Sequence, residues 1–187
     1  NIKAIEIESF SLVRSLVGRD RGVVGIINLG AQSTTVTVAD NRVMRLQSNI
    51  GRGSREVSTI LARSLSIEEE RAEVIKKEVG LSTKPEEKEI ADIIAPIVDT
   101  LFSEMERAFA VYNRTNIRKV ERIILSGGGA SMAGLVDYVS KKIGLETTLA
   151  NPFSFTVYPA FMQPVLKDLG PGFGVAVGLA LRQITSR

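Results

Sequence analysis

The residues with chemistry to offer lie in three glycine-containing stretches. "NLGAQSTT", beginning at Asn28, looks like a phosphate-gripping turn between two strands. "IGRGSRE" puts Gly51, Arg52 and Gly53 at the start of a helix, and "SGGGASM" runs Gly127, Gly128 and Gly129 into another. Glycine in such places lets a ligand touch bare backbone, and the unpaired amides of a helix start favour phosphate or ribose oxygens. The chain has no Cys and no His, which removes thiolate and imidazole metal sites, cysteine nucleophiles and serine–histidine triads. Carboxylates, hydroxyls, Lys, Arg and backbone amides remain. Taken singly, each glycine stretch also reads as a plain hairpin or helix start.

The elements that must position these stretches follow from hydrophobic periodicity. Ile2 to Ile7 reads as a strand end, joined near Glu8 to a helix carrying Phe10, Leu12, Val13 and Leu16. Val23–Asn28, Thr34–Ala39 and Val43–Gln47 read as an antiparallel meander with turns at "GAQS" and "ADNR". A helix with an apolar face of Val57, Ile60, Leu61 and Leu65 comes next. A charged helix follows, with Ser66 as expected cap, Glu69 as its capping-box partner and Gly80 at its end. The long amphipathic stretch through Ile90, Ile97, Met105 and Tyr112 contains Pro96, which is expected to kink or split it. Strands are expected at Arg122–Ser126 and Glu146–Leu149, with mostly loop from Pro152 to Leu169. "GPGFGVAVGLAL" is expected to be a helix packing through Gly174, Ala176, Gly178 and Ala180.

Composition bounds the partners. With 187 residues, 44% hydrophobic and 24% charged, the chain can bury one substantial core. The formal charge of +3 is spread along the chain without interleaved aromatics, which argues against nucleic acid. Its longest apolar stretches read as shorter than the ~20 residues of a membrane helix, so no direct membrane insertion is expected. The chain begins at Asn1 and runs at once into structured sequence, so it is expected to be part of a longer polypeptide.

The order of motifs resembles the second lobe of the actin-like ATPase superfamily. "IINLGAQSTTVTV" is similar to its second phosphate motif, "IILSGGGASMAGL" to its adenosine motif, and "IEIESFSLVRSL" and "GPGFGVAVGLALR" to its two connecting helices. Within it, "LSGGGASMAGLVDYVSKKIGLETTLANPF" and "GVAVGLALR" resemble the PilM family of type IV pilus assembly proteins, relatives of the FtsA family. The resemblance implies an α/β, ribonuclease H-like lobe: a mixed five-stranded sheet with flanking helices. Residues 1–20 would be a connector remnant from a missing first lobe, and 21–187 the second lobe, with a helical subdomain at about 51–117.

By the same resemblance, Gly30, Ser33 and Thr34 would approach the β- and γ-phosphates, and Gly51, Arg52, Gly127, Gly128 and Gly129 would face the adenosine of ATP or ADP. The superfamily has an aspartate where this chain has Asn28, so a hard cation loses its anionic partner there, although Mg2+ remains admissible in a full-length protein. No side chain is given a catalytic or metal-ligating role. Thr34 is equally a strand residue, Arg52 a solvated charge, Glu8 a helix-cap carboxylate and Asn28 a turn former. The implied protein is cytoplasmic and peripheral to the inner membrane. It would bind a membrane-anchored PilN-like protein through a cytoplasmic peptide, with self-association allowed. The alternatives are a superfamily ATPase or kinase and an FtsA-like division anchor, the latter wanting an amphipathic C-terminal helix.

Overall fold

The computed structural model describes residues 5–185, with side chains through residue 182. Three strands, β1 (Val23–Leu29), β2 (Thr34–Asp40) and β3 (Val43–Ile50), form the expected meander. Two more, β4 (Arg122–Ser126) and β5 (Glu146–Leu149), complete one sheet of five in the order β3-β2-β1-β4-β5. The β1–β2 and β2–β3 pairs are antiparallel, whereas β1–β4 and β4–β5 are parallel. The parallel pairs require crossovers, and the helices supply them.

Alternation along β1 sorts the two faces. Val23, Ile27 and Leu29 join the core under α2 (Arg55–Leu65), α3 (Glu69–Glu78), α4 (Lys88–Thr115) and α5 (Leu135–Ile143). On that side Gly25 makes room for the Phe109 ring, which an added Cβ would meet at 2.8 Å. Val24 and Ile26 face the other way, with Ile124 and Ala150, against α1 (Glu8–Leu16) and its companion α6 (Gln163–Thr185). Burying one such aliphatic side chain is worth roughly 1.5–3 kcal/mol, so both faces hold the sheet.

The α1–α6 contact is closer than an ordinary helix pair. Buried Ser9, Ser11 and Ser15 line α1, and the Ser15 hydroxyl donates to the Gly174 carbonyl at 2.7 Å. A Cβ on Gly178 would stand 2.0 Å from the Ser11 carbonyl oxygen. Arg14 donates to the Gly178 carbonyl at 2.9 Å and to Glu6 at 2.8 Å, and Arg182 lies 3.4 Å from the same Glu6 carboxylate.

Several expectations are corrected. Ser66 does not cap α3: it sits at φ 55° as the C-cap of α2, its amide bonded to the Ala62 and Arg63 carbonyls, and Glu69 pairs with Arg55 instead. Pro96 does not split α4, which runs 28 residues, because Pro96 lies on an exposed turn where water can satisfy the carbonyl its ring displaces. Phe10 is exposed, since the buried stripe of α1 falls on its serines with Leu12, Val13 and Leu16. Ala176 and Ala180 are exposed too, leaving the close packing to Gly174 and Gly178.

The stretch expected as loop is largely ordered into short 3-10 turns, and α6 already begins at Gln163. Among the described residues, Ala160–Arg182 is thus long and apolar enough, by length and composition, to cross a membrane. The expectation of shorter apolar stretches fails because helix continues through Pro171, yet its Gly174 and Gly178 are pressed on α1 as in a packed connector. Of the expected strand Ile2–Ile7, residues 2–4 lie outside the described residues and 5–7 form no strand.

Gly178→Ala is expected to lower stability by about 1–3 kcal/mol through overpacking against backbone. Gly172→Ala, in the same helix with open space around its Cβ, should be neutral or stabilising by about 0.5–1 kcal/mol. Thermal melts of the two variants separate these outcomes.

Candidate functional site

At the C-terminal end of β1, three chain segments meet backbone to backbone. The Gly30 amide donates to the Ser33 carbonyl at 3.0 Å and closes the β1–β2 turn, whose tip residues Ala31, Gln32 and Ser33 are exposed. The segment before α2 grips this turn: the Ser54 amide donates to the Gly30 carbonyl at 2.8 Å and the Arg55 amide to the Ala31 carbonyl at 2.9 Å. From the other side, the buried Thr34 hydroxyl donates to the Arg52 carbonyl at 2.8 Å. Thr34 thus orders the clasp, and the Gly30 amide is spent within it.

The glycines divide into two kinds. A Cβ on Gly53 would lie 2.5 Å from the Ala31 carbonyl oxygen, and one on Gly129 would lie 2.5 Å from the Ser54 side chain. Gly127 adds a left-handed φ of 87° and a 2.4 Å approach to the Leu29 carbonyl oxygen. These three are packing glycines. Gly51 and Gly128 differ, because nothing lies within 4 Å of where their Cβ would be. Both are exposed, leaving side-chain-free backbone open to a ligand.

The structure also fastens α6 to the triple-glycine turn. The Pro171 carbonyl accepts from the Gly127 amide at 2.7 Å and from the Ser126 hydroxyl at 3.0 Å. Sequence reading missed this link, since nothing in "GPGFG" announces a carbonyl turned out of the helix toward β4.

Asn28 occupies the middle of a polar row across three strands. It pairs in register with Thr35 of β2 and Ser126 of β4, on the face shared with α1. An ideal Cβ on Gly127 would meet its Oδ1 at 2.9 Å. Thr35 donates its hydroxyl to the Glu8 carboxylate at 3.0 Å, so the acid of α1's first turn is tied to the neighbour of Asn28. The expectation of Glu8 as a helix cap is corrected: Ile7 holds the N-cap position of α1 without a side-chain cap bond, and the Glu8 carboxylate is engaged by Thr35 instead. Among the described residues no three acidic side chains gather as a metal cluster.

Arg52 is held on the other side of the clasp. Glu56 accepts from its Nε at 2.8 Å and its Nη2 at 2.5 Å, and Glu104 lies 3.7 Å away. The bond to Glu56 raises the guanidinium's pKa above its ordinary value, and the same bond holds the Glu56 carboxyl below its own. Arg52, Gly51 and Gln32 border an open groove of about 470 Å³, with Thr59 and Ile60 of α2 along its wall. Gln32 and Thr59 were not singled out from the sequence and Ile60 was read only as part of the apolar face of α2; a side-chain amide at the tip of a recognised turn was the available signal. Asn28 and the triple-glycine turn do not line this groove.

Comparison with known proteins gives a consistent picture. The family described as type IV pilus assembly protein PilM matches residues 3–184. Cell division protein FtsA of Rhizobium meliloti (strain 1021) is 28% identical over 180 residues, covering 83% of this chain and 39% of FtsA. Among solved structures, a chain of a PilM-PilN type IV pilus biogenesis complex aligns with a TM-score of 0.82 at 23% identity, over 96% of this chain and 52% of that one. MreB5 of Spiroplasma citri bound to AMPPNP aligns at 0.71 and 13% identity, over 97% of this chain and 59% of that one. These structural likenesses establish an actin-like fold, and the chain spans about half the length of the solved structures it matches.

Gly129→Ala is expected to destabilise by about 1–3 kcal/mol, because its Cβ strikes Ser54 and Leu29. Gly128→Ala should leave the denaturation midpoint nearly unchanged. Urea unfolding of the pair checks the division into packing and open glycines.

Proposed function

The chain belongs to the type IV pilus assembly protein PilM family, and we propose that it is the nucleotide-binding scaffold portion of a cytoplasmic protein that docks on an inner-membrane assembly complex. The observation that carries the nucleotide reading is the open backbone at Gly51 and Gly128, set on either side of a clasp that tolerates no added side chain. ATP or ADP would lie over this edge, with phosphates toward the Gly30–Ser33 turn and adenosine toward Gly51, Arg52 and the Gly127–Gly129 turn. Ser33, exposed at the tip, offers a hydroxyl. Family membership and the fold shared with a chain of a PilM-PilN complex support a PilN-like, membrane-anchored partner met through a cytoplasmic peptide.

Mg2+ would neutralise phosphate charge when bound. The donors on the sheet side are the Asn28 carboxamide, the Thr35 hydroxyl and the Glu8 carboxylate, a set with one formal charge, and that carboxylate already accepts from Thr35. A hard cation prefers more anionic oxygen than this, so metal is held weakly and the site favours binding over hydrolysis. In a longer relative, a first lobe would oppose this edge. The exposed Phe161, Val165, Leu169 and Phe173 on and beside α6 are the apolar face it would cover.

With one lobe, binding must supply the ordering that a second lobe would provide. Calorimetric titration of this chain with Mg-ATP should give a dissociation constant weaker than ~10 μM, near −7 kcal/mol. Tighter binding would overturn the half-site account. Asn28→Asp in a full-length protein should strengthen the Mg2+ dependence of nucleotide binding; no change would mean that Asn28 serves the turn alone.

A further inference from the structure

The end of the sheet opposite the glycine turns carries an unspent positive charge. It is separated from them by the seven residues of β1, about 20 Å of strand. Four connections reach it: the 17–22 segment after α1, the Asn41–Arg42 turn between β2 and β3, the 116–121 segment between α4 and β4, and the 144–145 turn between α5 and β5; the first three meet around Arg118. Arg118 knits those three together. Its Nη2 donates to the Arg21 carbonyl at 2.9 Å and lies 3.5 Å from Glu121, while its Nη1 pairs with Asp40.

The carboxylates of this end are largely engaged. Asp20 accepts from the Gly22 amide at 2.7 Å and pairs with Arg122 at 2.6 Å; these bonds hold its carboxyl below the usual range. Asp40 is taken by Arg118. Lys119 spends its ammonium on the carbonyls of Asn113 and Asn116, at the end of α4. Glu146, which opens β5 beside Arg122, is the further acid of the end.

Against these, Arg19, Arg21, Arg42 and Arg114 are exposed and make no side-chain hydrogen bond or ion pair among the described residues. Between them stands Ile117, 99% exposed at the tip of its turn. Four guanidinium groups, two on the 17–22 segment, one on the Asn41–Arg42 turn and one in the last turn of α4, around a protruding aliphatic side chain, match a flat anionic surface better than a peptide that needs a groove. Of the exposed aromatics, Phe10, Phe161 and Phe173 lie on α1, on the turn before α6 and on α6, while Phe155 reaches this end with its ring against Gly18; a single ring beside the charge is not the interleaved set that base stacking needs.

We infer that this end face, Arg19, Arg21, Arg42 and Arg114 around Ile117, docks directly on the anionic headgroups of a phospholipid surface. The contact is independent of the nucleotide reading and goes beyond attachment through a protein partner. It turns the glycine edge away from the bilayer.

The test is co-sedimentation of the intact chain with phosphatidylglycerol-containing vesicles and with pure phosphatidylcholine vesicles, across a salt series. Binding is expected to the anionic vesicles alone and to weaken steadily with salt. The triple variant Arg19→Glu, Arg42→Glu, Arg114→Glu should lose about tenfold or more in partition coefficient, and Ile117→Ser about threefold. Salt sensitivity of the unmodified chain keeps the test decisive should the triple variant fold poorly. Equal binding to both vesicle types, or no binding to the anionic ones at low salt, overturns the proposal. Capture of polyglutamate where anionic vesicles stay free also overturns it, in favour of an acidic polypeptide.

Discussion

Backbone laid directly on backbone, at the end of β1, is the constraint on which the rest of this structure depends. The Leu29 and Ala31 carbonyls each have a glycine pressed on them, Gly127 and Gly53, and Gly129 is pressed on Ser54. Each approach is nearer than any Cβ permits, so the clasp survives only while these positions lack side chains. Its reward is geometric: the β1–β2 turn, the start of α2 and the triple-glycine turn are fixed to one another largely through backbone, with the Thr34 hydroxyl and the Ser54 side chain completing the contact. The open backbone at Gly51 and Gly128 adjoins this clasp in the chain. Preorganised amides of this kind would lower the ordering cost of the proposed nucleotide binding, leaving the part that a second lobe would supply.

The same device recurs between α1 and α6, where it couples helices rather than turns. Serines on one helix and glycines on the other bring the axes together, and Ser15 bonds across at 2.7 Å. Because α6 also offers its Pro171 carbonyl to Ser126 and Gly127, a shift of α6 along α1 displaces the triple-glycine turn. Glu6, contacted by Arg14 and Arg182, sits at the origin of this pair. The site and the helix pair are therefore mechanically one unit, and the other sheet face, with its large apolar core, is the support behind them.

Much of this was legible in the sequence, for identifiable reasons. Strand alternation and the two strand–glycine–helix units have strong local periodicity, so the sheet and its five strands could be read directly. The division of glycines into packing and open ones could not, because Gly127, Gly128 and Gly129 are identical neighbours and their surroundings come from Leu29 and Ser54, far away in the chain. Ser66 looked like a helix start because Ser precedes an acidic run, yet the preceding helix claimed it as a left-handed C-cap. Pro96 obeyed burial rather than propensity: on an exposed turn the freed carbonyl meets water. The order in residues 152–169 had no period to find, since its short turns are set by packing on α6 and α1. Charge at the far end was hidden as well, because Arg19, Arg42 and Arg114 come together only through the topology.

Amide chemical-shift mapping of the isotope-labelled chain titrated with ADP is the most direct test of the central claim. The account predicts shifts concentrated at the Gly30–Ser33 turn, Gly51, Arg52 and Gly128, with Arg42, Ile117 and the β5 edge unmoved. Shifts confined to the far end of the sheet, or none at millimolar ADP, would contradict it.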